Sequence, residues 1–295
     1  MMEQNTGRVS VRYGAELMLE TPAGETLRCT ARRKLEHVAC GDYVRWEKQE
    51  QGNAAVTEIL PRHNVLTRPD FRGRPRPVAA NIDLLLVVNS WQPAPNWEML
   101  DRYLIAAGQL PGEALIILNK HDLFDPVRDG PALNCLNEYR QIGYPVLFTS
   151  SRTREGLESL YDHIAGKTAI MTGQSGVGKS SLASWLLPEQ DIRIGAIAET
   201  GEGRHTTTAA QLYHLPRGGA LIDSPGVRDF ALPPLSLAEL QAGYPEFLAL
   251  DRYCRFNNCT HHHEPGCEVK KAVSVGQLPE KRYQRYLGLL DRQQS

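Results

Sequence analysis

Apolar and polar residues alternate along the first part of the chain with the period of two that is typical of β-strands. Val9, Val11 and Tyr13 fall on one face of such a strand, and the alternation returns in residues 27–31 and 44–46. Turn residues separate these runs at 22–24, 40–42 and 52–53. About five short strands in this stretch predict a small closed barrel, because closure leaves no strand edge exposed. We expect an OB-type barrel in residues 1–65, and an SH3-like barrel fits the same pattern.

Cations follow one of these strands, at Arg28, Arg32, Arg33 and Lys34. Small barrels often bind RNA through a basic face dotted with aromatic residues, although a solvated strand and turn explains the same charges equally well. Arginines and prolines then alternate in residues 62–77. Because proline fixes φ and disfavours helix, we expect residues 66–80 to be a partly extended linker.

Strand-like and helical patterns alternate from residue 81 to residue 232. Apolar runs at 82–88, 114–118 and 144–148 predict strands, and the spacing of apolar residues at 97–107 and 155–164 predicts helices. A further pair of strands is predicted at 211–215 and 220–222. Such alternation favours a parallel α/β sheet with right-handed crossovers, whose ligands lie at the carboxyl ends of the strands.

Residues 173–180 read G-x-x-x-x-G-K-S between a strand-like run, 167–172, and a helical run, 181–187. The glycines let backbone N–H groups converge on a phosphate at the positive end of the helix. Lys179 can reach the β- and γ-phosphates, and the Ser180 hydroxyl can bind Mg²⁺. The residues expected to bind the triphosphate are Gly173, Gln174, Ser175, Gly176, Val177, Gly178, Lys179, Ser180 and Ser181.

The strand-like run 114–118 leads into Asn119, Lys120, His121 and Asp122, an N-K-x-D pattern. The Asp122 carboxylate can accept two hydrogen bonds from guanine, whereas adenine would leave it unpaired, which is a strong basis for discrimination. After the next strand, a backbone N–H near Ser150 can meet the guanine carbonyl. The pattern therefore predicts a guanine nucleotide as the ligand.

The aperiodic residues 188–208 end in Gly-Arg-His-Thr-Thr-Thr, and a structureless stretch of this length is usually functional. We assign Thr206 and Thr207 to the nucleotide and Thr207 to Mg²⁺, although the sequence itself does not choose among the three threonines. Asp223 can hold Mg²⁺ through water, and the Gly226 N–H can bond the γ-phosphate.

Cys254, Cys259, His261 and Cys267 form a cluster whose spacing predicts one structural zinc ion, closed to substrates. His262 and His263 lie equally near in sequence. We expect a C-terminal zinc-binding helical module in residues 233–295, with a helix at 278–290. From Arg252 onward there are eight lysines and arginines against four acidic residues, which fits either an rRNA contact or a solvated face.

The whole chain carries a net charge of −1, with a pI of about 6.8, so any nucleic acid must be met by local basic faces. The apolar runs are too short to span a bilayer, and no charged-then-apolar leader opens the chain. Three cysteines are scattered and three lie in the cluster, a pattern that favours a reducing cytosol over a disulfide framework. We therefore expect a cytoplasmic monomer with no membrane partner.

The nucleotide motifs occur in rotated order, with N-K-H-D ahead of the phosphate loop, as in a circularly permuted GTPase. Together with the barrel and the Cys/His cluster, they make residues 8–290 resemble the bacterial RsgA (YjeQ) family of GTPases that depend on the small ribosomal subunit. The resemblance implies GTP hydrolysis stimulated by the small (30S) subunit and its rRNA, and a role in late maturation of that subunit. It also selects His261 as the fourth zinc ligand.

The water-activating residue differs from that of many GTPases. They carry a glutamine after D-x-x-G, but this chain has Val227, which cannot orient water. His205, beside the predicted switch threonines, is the polar candidate, and the resemblance implies that it is the catalytic histidine. A polar loop residue with no role in catalysis is the alternative for His205.

Two other functions remain open at the level of sequence. A P-loop kinase or ATPase acting on a small molecule would share the phosphate loop, but Asp122 argues against it. A non-enzymatic RNA-binding zinc protein with a vestigial nucleotide pocket is the second alternative, and the intact Lys179, Ser180 and Asp223 argue against that.

Overall fold

Five strands in the first part of the chain close into a barrel. The structure, a computed structural model, describes residues 5–13, 16–32, 35, 37–49, 54–69, 74–110, 112–188, 210–223 and 235–294. The barrel strands are β1 (Asn5–Tyr13), β2 (Glu16–Glu20), β3 (Thr26–Ala31), β4 (Tyr43–Lys48) and β5 (Ala54–Ile59). They pair in the order β1-β2-β3-β5-β4, and β4 pairs back onto β1, so the predicted closed barrel is confirmed. Because β5 lies between β3 and β4, the barrel is not a simple meander, which fits the expected OB-type barrel.

The apolar alternation that predicts β1 is interrupted in its second half. The pairing of β1 with β2 shifts register between Val9 and Val11, so the buried Ser10 lies between two buried valines. Tyr13, expected on the same face as the valines, is 42% exposed. A bulge of this kind adds a residue to one strand and moves the following side chains off the regular alternation. The barrel core is formed by Val9, Leu17, Leu19, Cys29, Val38, Val44, Ala54 and Val56.

The segment expected as an extended linker forms a hairpin. Strands β6 (Val65–Pro69) and β7 (Pro75–Ala80) pair antiparallel in a separate two-stranded sheet. The extended backbone was expected, but the pairing was not, because composition does not reveal which extended segment lies beside another. Prolines are tolerated here since alternate N–H groups of a two-stranded ladder need no strand partner. The domain boundaries at residues 65 and 80 stay predictions.

A central sheet follows, with helices as crossovers. Its strands are β8 (Leu84–Ser90), β9 (Glu113–Asn119), β10 (Val146–Phe148), β11 (Thr168–Thr172), β12 (Gln211–His214) and β13 (Ala220–Asp223). The helices are α1 (Trp97–Gln109), α2 (Pro126–Ile142), α3 (Leu157–Ile164) and α4 (Lys179–Leu186). The order is β10-β9-β8-β11-β13-β12, parallel except for β12. The predicted parallel α/β sheet is confirmed, and its carboxyl ends carry the predicted motifs.

Helix α2 has no counterpart in the sequence-based prediction. Asp125 caps it by accepting from the N–H groups of Val127 and Arg128, both at 2.9 Å, and Pro126 opens its first turn. Pro131 lies inside the helix, where it removes one backbone hydrogen bond. Few of its side chains are buried, so the apolar stripe that would reveal a helix is weak. Packing against the sheet outweighs these local preferences.

The barrel joins the central sheet at one edge. Val11 of β1 pairs with Gln211 of β12, which makes one continuous sheet of eleven strands. Arg8 of the same strand donates to Thr168 Oγ1 of β11 at 2.7 Å. The barrel is therefore attached to the strand that directly follows residues 189–209, which lie outside the described residues.

Four helices form the C-terminal module: α5 (Leu237–Ala242), α6 (Pro245–Asp251), α7 (Glu268–Ser274) and α8 (Glu280–Gln294). The predicted helix at 278–290 is confirmed as α8, which begins at Glu280 and ends at Gln294. Among the described residues, no helix is both long and apolar enough to cross a membrane.

Buried charges fasten α8 to the central domain. Arg282 is 1% exposed and pairs with Asp101 of α1 and Glu246 of α6. Arg285 pairs with the same Asp101 at 2.5 Å, and the Tyr139 hydroxyl donates to Asp101 at 2.5 Å. A buried charge is costly when it has no partner. The cluster therefore favours the one arrangement of the C-terminal module against α1 in which all of these charges are paired.

We predict that Asp101→Ala destabilises the protein by about 3–5 kcal/mol, because it leaves the buried guanidinium of Arg282 and the partly buried one of Arg285 short of a partner. Chemical denaturation would measure the change in the free energy of unfolding. Glu98→Ala is a matched control, since it breaks the exposed Arg292–Glu98 pair between the same two helices. That control should cost no more than about 1 kcal/mol. Equal losses in the two variants would contradict a special role for the buried cluster.

Candidate functional site

The phosphate loop joins β11 to α4 and requires glycine at two positions. Gly173 has φ of 140°, and a Cβ there would lie 2.0 Å from Val88 O. Gly178 has φ of 95°, and a Cβ there would lie 2.2 Å from Asn119 Nδ2. Both contacts are far too short for a side chain, so the loop packs directly against β8 and the end of β9.

The loop's lysine and serine lie where a phosphate-binding loop needs them. Lys179 opens α4, and its Nζ lies 2.6 Å from Gly173 O and 2.8 Å from Gln174 O. Ser180 follows in the first turn of the helix, and the more exposed Ser181 borders a cavity. The arrangement brings an ammonium group, a hydroxyl and a helix N-terminus together at the carboxyl end of β11.

Asn119 ties the base-reading loop to the phosphate loop. Its side chain is buried, and Nδ2 donates to Val177 O at 2.9 Å. Its Oδ1 accepts from Ser151 N and Thr149 Oγ1, both at 3.3 Å. One amide therefore joins three loops that are separated by about 30 to 58 residues along the chain.

Lys120 forms a second connection. It adopts the left-handed conformation, with φ of 59°, and its Nζ donates at 2.7 Å to both Gln92 O and Gly176 O. The aliphatic part of the side chain therefore crosses from the β9 loop to the phosphate loop. The lysine of N-K-H-D thus has a structural part in the site, which its position in the motif alone does not reveal.

Asp122 presents an ionised carboxylate. Ser150 Oγ donates to its Oδ1 at 2.6 Å, and Arg152 Nε lies 2.8 Å from its Oδ2. The Ser150 hydrogen bond, followed by the charge of Arg152, outweighs burial and lowers the pKa of Asp122 below its ordinary value. An ionised carboxylate is the acceptor that guanine's two N–H donors require.

Ser150 has a different part from the one expected. Its N–H donates to Glu155 O at 3.0 Å, and the neighbouring Thr149 N–H donates to Leu118 O at 2.9 Å. These two N–H groups therefore donate to protein carbonyls, and the Ser151 N–H donates to Asn119 Oδ1. Ser150 instead acts on the base-reading site through its hydroxyl, which holds Asp122.

His121 lies in an aromatic cluster at the end of the sheet. The indole Nε1 of Trp91 donates to His121 Nδ1 at 3.2 Å, and the imidazole stacks on Phe148 with centroids 4.9 Å apart. His121 therefore holds the 3-10 turn His121–Leu123 in place, and Asp122 lies in the middle of that turn.

A cavity of about 450 Å³ connects the base-reading and phosphate loops. Its lining residues are Asn119, Lys120, Asp122, Leu123, Ser151, Arg152, Gly178 and Ser181. A larger cavity of about 500 Å³ lies between the loop after β8 and α8, away from the phosphate loop's lysine and serine. The smaller cavity is the nucleotide candidate, because its walls carry Asn119, Lys120 and Asp122, the residues predicted to read the base.

The residues predicted for the switch loops and the magnesium site fall only partly within the described residues. His205, Thr206, Thr207 and Gly226 lie outside the described residues. Asp223 is described at the carboxyl end of β13, the strand beside β11. Its carboxylate and the Ser180 hydroxyl are the hard oxygen donors that Mg²⁺ prefers, so these two residues fit a magnesium ion bound with a triphosphate.

The four predicted zinc ligands come together in the C-terminal module. One donor atom from each of Cys254, Cys259, His261 and Cys267 lies within 4.8 Å of the others. The sulfurs of Cys254 and Cys267 are 3.8 and 3.5 Å from His261 Nδ1. Tetrahedral zinc with ordinary bond lengths separates a thiolate and an imidazole nitrogen by about 3.6 Å. His261, rather than His262 or His263, thus completes the cluster.

The surroundings of the cluster also fit a cation. Burial raises the pKa of the Cys259 thiol to about 12, so a thiolate there needs a positive charge beside it. The buried Asp251 Oδ1 has no hydrogen-bond partner among the described residues and lies 3.8 Å from His261 Nε2. A carboxylate next to the far nitrogen of a ligating histidine is a usual second partner in zinc sites.

Sequence reasoning missed Arg152 and Trp91. Arg152 directly follows the Thr149-Ser150-Ser151 turn, and Trp91 follows β8, between the two strands that carry the motifs. Trp91 could have been found from its position at the carboxyl end of a predicted parallel strand, where ligand-binding residues usually lie. No motif marks Arg152, because its partner lies 30 residues earlier in the chain.

Comparisons with known proteins agree with this geometry. The model of the RsgA GTPase family matches residues 59–233. Proteins named small ribosomal subunit biogenesis GTPase RsgA from Pseudomonas syringae pv. tomato and Pseudomonas fluorescens are each 43% identical over 97% of this chain and 85% of their own length. The crystal structure of YjeQ from Thermotoga maritima superposes with a TM-score of 0.82 at 30% identity, covering 99% of both chains. That of YloQ, described as a circularly permuted GTPase, gives 0.79 at 28% identity over 99% of this chain and 96% of that one.

We predict that Asp122→Ala abolishes the preference for guanine, because it removes the paired acceptor and leaves the phosphate loop intact. Paired polar contacts of this kind can discriminate by roughly 10⁴–10⁵-fold, and the GDP-to-ADP affinity ratio should fall toward one. Calorimetric titration with both nucleotides would measure it. Asp162→Ala, at an exposed helix position, should keep the wild-type ratio. A large guanine preference surviving in Asp122→Ala would refute the assignment.

We predict about one zinc ion per chain, since the cluster forms a single closed site. Cys267→Ala should lose that zinc and lower the free energy of unfolding, because structural zinc contributes its binding energy to folding. Elemental analysis and thermal denaturation would check both. Cys135→Ala, at a buried thiol outside the cluster, should keep the metal. Wild-type protein purified without chelators and free of metal would rule out the zinc site.

Proposed function

The chain belongs to the RsgA GTPase family, and we propose that it is a small ribosomal subunit biogenesis GTPase that hydrolyses GTP to GDP and phosphate. The observation that supports this most directly is the Asn119–Val177 hydrogen bond. It holds the guanine-reading loop against the phosphate loop across an intervening strand, so one ligand can contact both. A small-molecule kinase or ATPase would have no use for the Asp122 carboxylate.

In the proposed site, Asp122 pairs with the two N–H groups of guanine, while the loop from Gly173 to Ser180 wraps the phosphates. Ser180 and Asp223 would hold magnesium, with Thr207 as the proposed third protein ligand. The ion would neutralise the charge that develops on the phosphates. His205 is the proposed water-orienting residue, because the Val227 side chain cannot form a hydrogen bond with the attacking water.

The C-terminal module is the better candidate for the rRNA contact. Tyr253 and Phe256 are 59% and 40% exposed, and the guanidinium groups of Arg252 and Arg255 lie 4.7 and 5.5 Å from their rings. Exposed rings beside arginines can stack on unpaired bases and pair with phosphates.

The barrel is a weaker candidate for RNA binding. Three of its described arginines are already paired with acidic residues, in the pairs Arg28–Glu16, Arg32–Glu47 and Arg45–Glu58. Paired charges attract phosphates less, because their field is largely cancelled at a distance. In the proposed function, the C-terminal module therefore makes the main RNA contact. The protein would act in the cytoplasm, as a monomer, late in maturation of the small subunit.

The proposal is tested by measuring GTP turnover with and without purified small ribosomal subunits. Turnover should rise when subunits are added, and large subunits should have no such effect. ATP should not replace GTP. Turnover that ignores the small subunit would refute the proposed partner, and equal use of ATP would refute the proposed substrate.

We predict that His205→Ala keeps GTP binding and loses subunit-stimulated turnover by roughly 10²–10⁴-fold, the usual contribution of a positioned acid–base group. Association with the subunit in the GTP state should persist, because hydrolysis would no longer release it. Turnover and co-sedimentation assays would measure the two effects. His163→Ala, at an exposed position on α3, is the control. Stimulated turnover within about twofold of wild type would move the catalytic role elsewhere.

A further inference from the structure

The carboxylate proposed to read guanine has both oxygens engaged by protein donors. Ser150 Oγ donates to Asp122 Oδ1 at 2.6 Å, and Arg152 Nε lies 2.8 Å from Oδ2. The Asp122 side chain is 9% exposed, so neither oxygen is well solvated. The two donors differ in how firmly each is held.

Ser150 is a permanent partner. It is fully buried, and its Oγ accepts the Thr153 N–H at 3.1 Å. Since a lone pair of the hydroxyl is already used, its proton is directed to Asp122. A carboxylate offers about four acceptor positions, so this bond can remain while Oδ1 accepts a second donor.

Arg152 is an exchangeable partner. Its side chain is 73% exposed, and among the described residues its guanidinium forms a polar contact with Asp122 alone. Ion pairs with one exposed member are weak, because the guanidinium is easily solvated when it leaves. Arg152 and Asp122 also line the same cavity of about 450 Å³, together with Gly178 and Ser181 of the phosphate-binding region.

With the proposed function as premise, we propose that Arg152 is a specificity-determining residue that competes with guanine for Asp122 Oδ2. Guanine presents two neighbouring N–H donors, which need one oxygen each, and it must reach the oxygens from the cavity. Ser150 is buried and does not line that cavity, so it leaves the approach to Oδ1 open, whereas Arg152 lines the cavity and stands on the side of Oδ2 from which the base arrives. Guanine therefore binds only those molecules in which Arg152 has released Asp122 Oδ2. Because these are a fraction of the total, the apparent affinity for the guanine nucleotide is lowered.

The same pair affects discrimination against adenine. Adenine has no donor at the ring position, so an unpaired Asp122 beside it would be costly. With Arg152 in place, Asp122 stays paired, and the penalty for adenine is smaller. Through this one contact, Arg152 thus lowers the affinity for guanine nucleotides and reduces the ratio of that affinity to the affinity for adenine nucleotides.

The test is Arg152→Ala, with fluorescent GDP and ADP analogues as probes. The association rate of the GDP analogue should rise about 1.5- to 5-fold, the range for an exposed ion pair, with the dissociation rate unchanged. The affinity for the ADP analogue should fall. High salt, which screens the exposed pair, should bring the wild-type association rate closer to that of the variant.

Arg217→Ala is the matched control, because Arg217 is an exposed arginine paired with Glu158 and does not line the cavity. Arg217→Ala should leave the association rates and affinities of both nucleotide analogues unchanged. If Arg152→Ala dissociates GDP faster or associates no faster than wild type, the arginine does not compete with the base and this inference is refuted. Wild-type protein with no preference for GDP over ADP would instead refute the proposed function, and the inference with it.

Discussion

The hydrogen bond from Asn119 to Val177 is the contact on which the proposed nucleotide site depends. Asn119 ends β9 and Val177 lies in the loop after β11, and the two strands are separated in the sheet by β8. The amide spans that gap, and Lys120 spans it again through Gln92 and Gly176. Gly178 must be glycine because Asn119 approaches it so closely. The motifs occupy neighbouring ends of one sheet, so their order along the chain does not affect the geometry, and a rotated order is compatible with the same site.

The flanking modules are fastened by two kinds of interaction. The barrel joins by backbone pairing between β1 and β12 and by the Arg8–Thr168 contact. The C-terminal module joins through the charges around Asp101, which stabilise only the arrangement that pairs them all. Tyr283 and Tyr286 of α8 also donate to the backbone of His261 and Thr260. One helix therefore contacts both the Cys/His cluster and the central domain.

Local charge, rather than total charge, distinguishes the two candidate RNA-binding surfaces. In the described part of the barrel, Arg28, Arg32 and Arg45 each pair with an acidic residue of another strand. In the C-terminal module, Arg252 and Arg255 lie over exposed aromatic rings instead. The difference arises because cross-strand neighbours in a barrel are set by register, whereas residues 252–256 lie in a short turn that contains Cys254 of the Cys/His cluster.

The sequence by itself determined the motifs whose chemistry is local. The glycines of the phosphate loop, the strand leading into N-K-H-D, the ligand spacing of Cys254 to Cys267 and the alternation of the barrel strands each reflect constraints within a few residues. The tertiary structure alone decided what depends on distant partners: the pairing of β6 with β7, the packing that stabilises α2, the Arg152–Asp122 pair and the docking of Arg282 onto Asp101. The physical reason is that backbone conformation and ligand spacing follow from adjacent residues, whereas an ion pair or a strand partner is chosen by the whole fold.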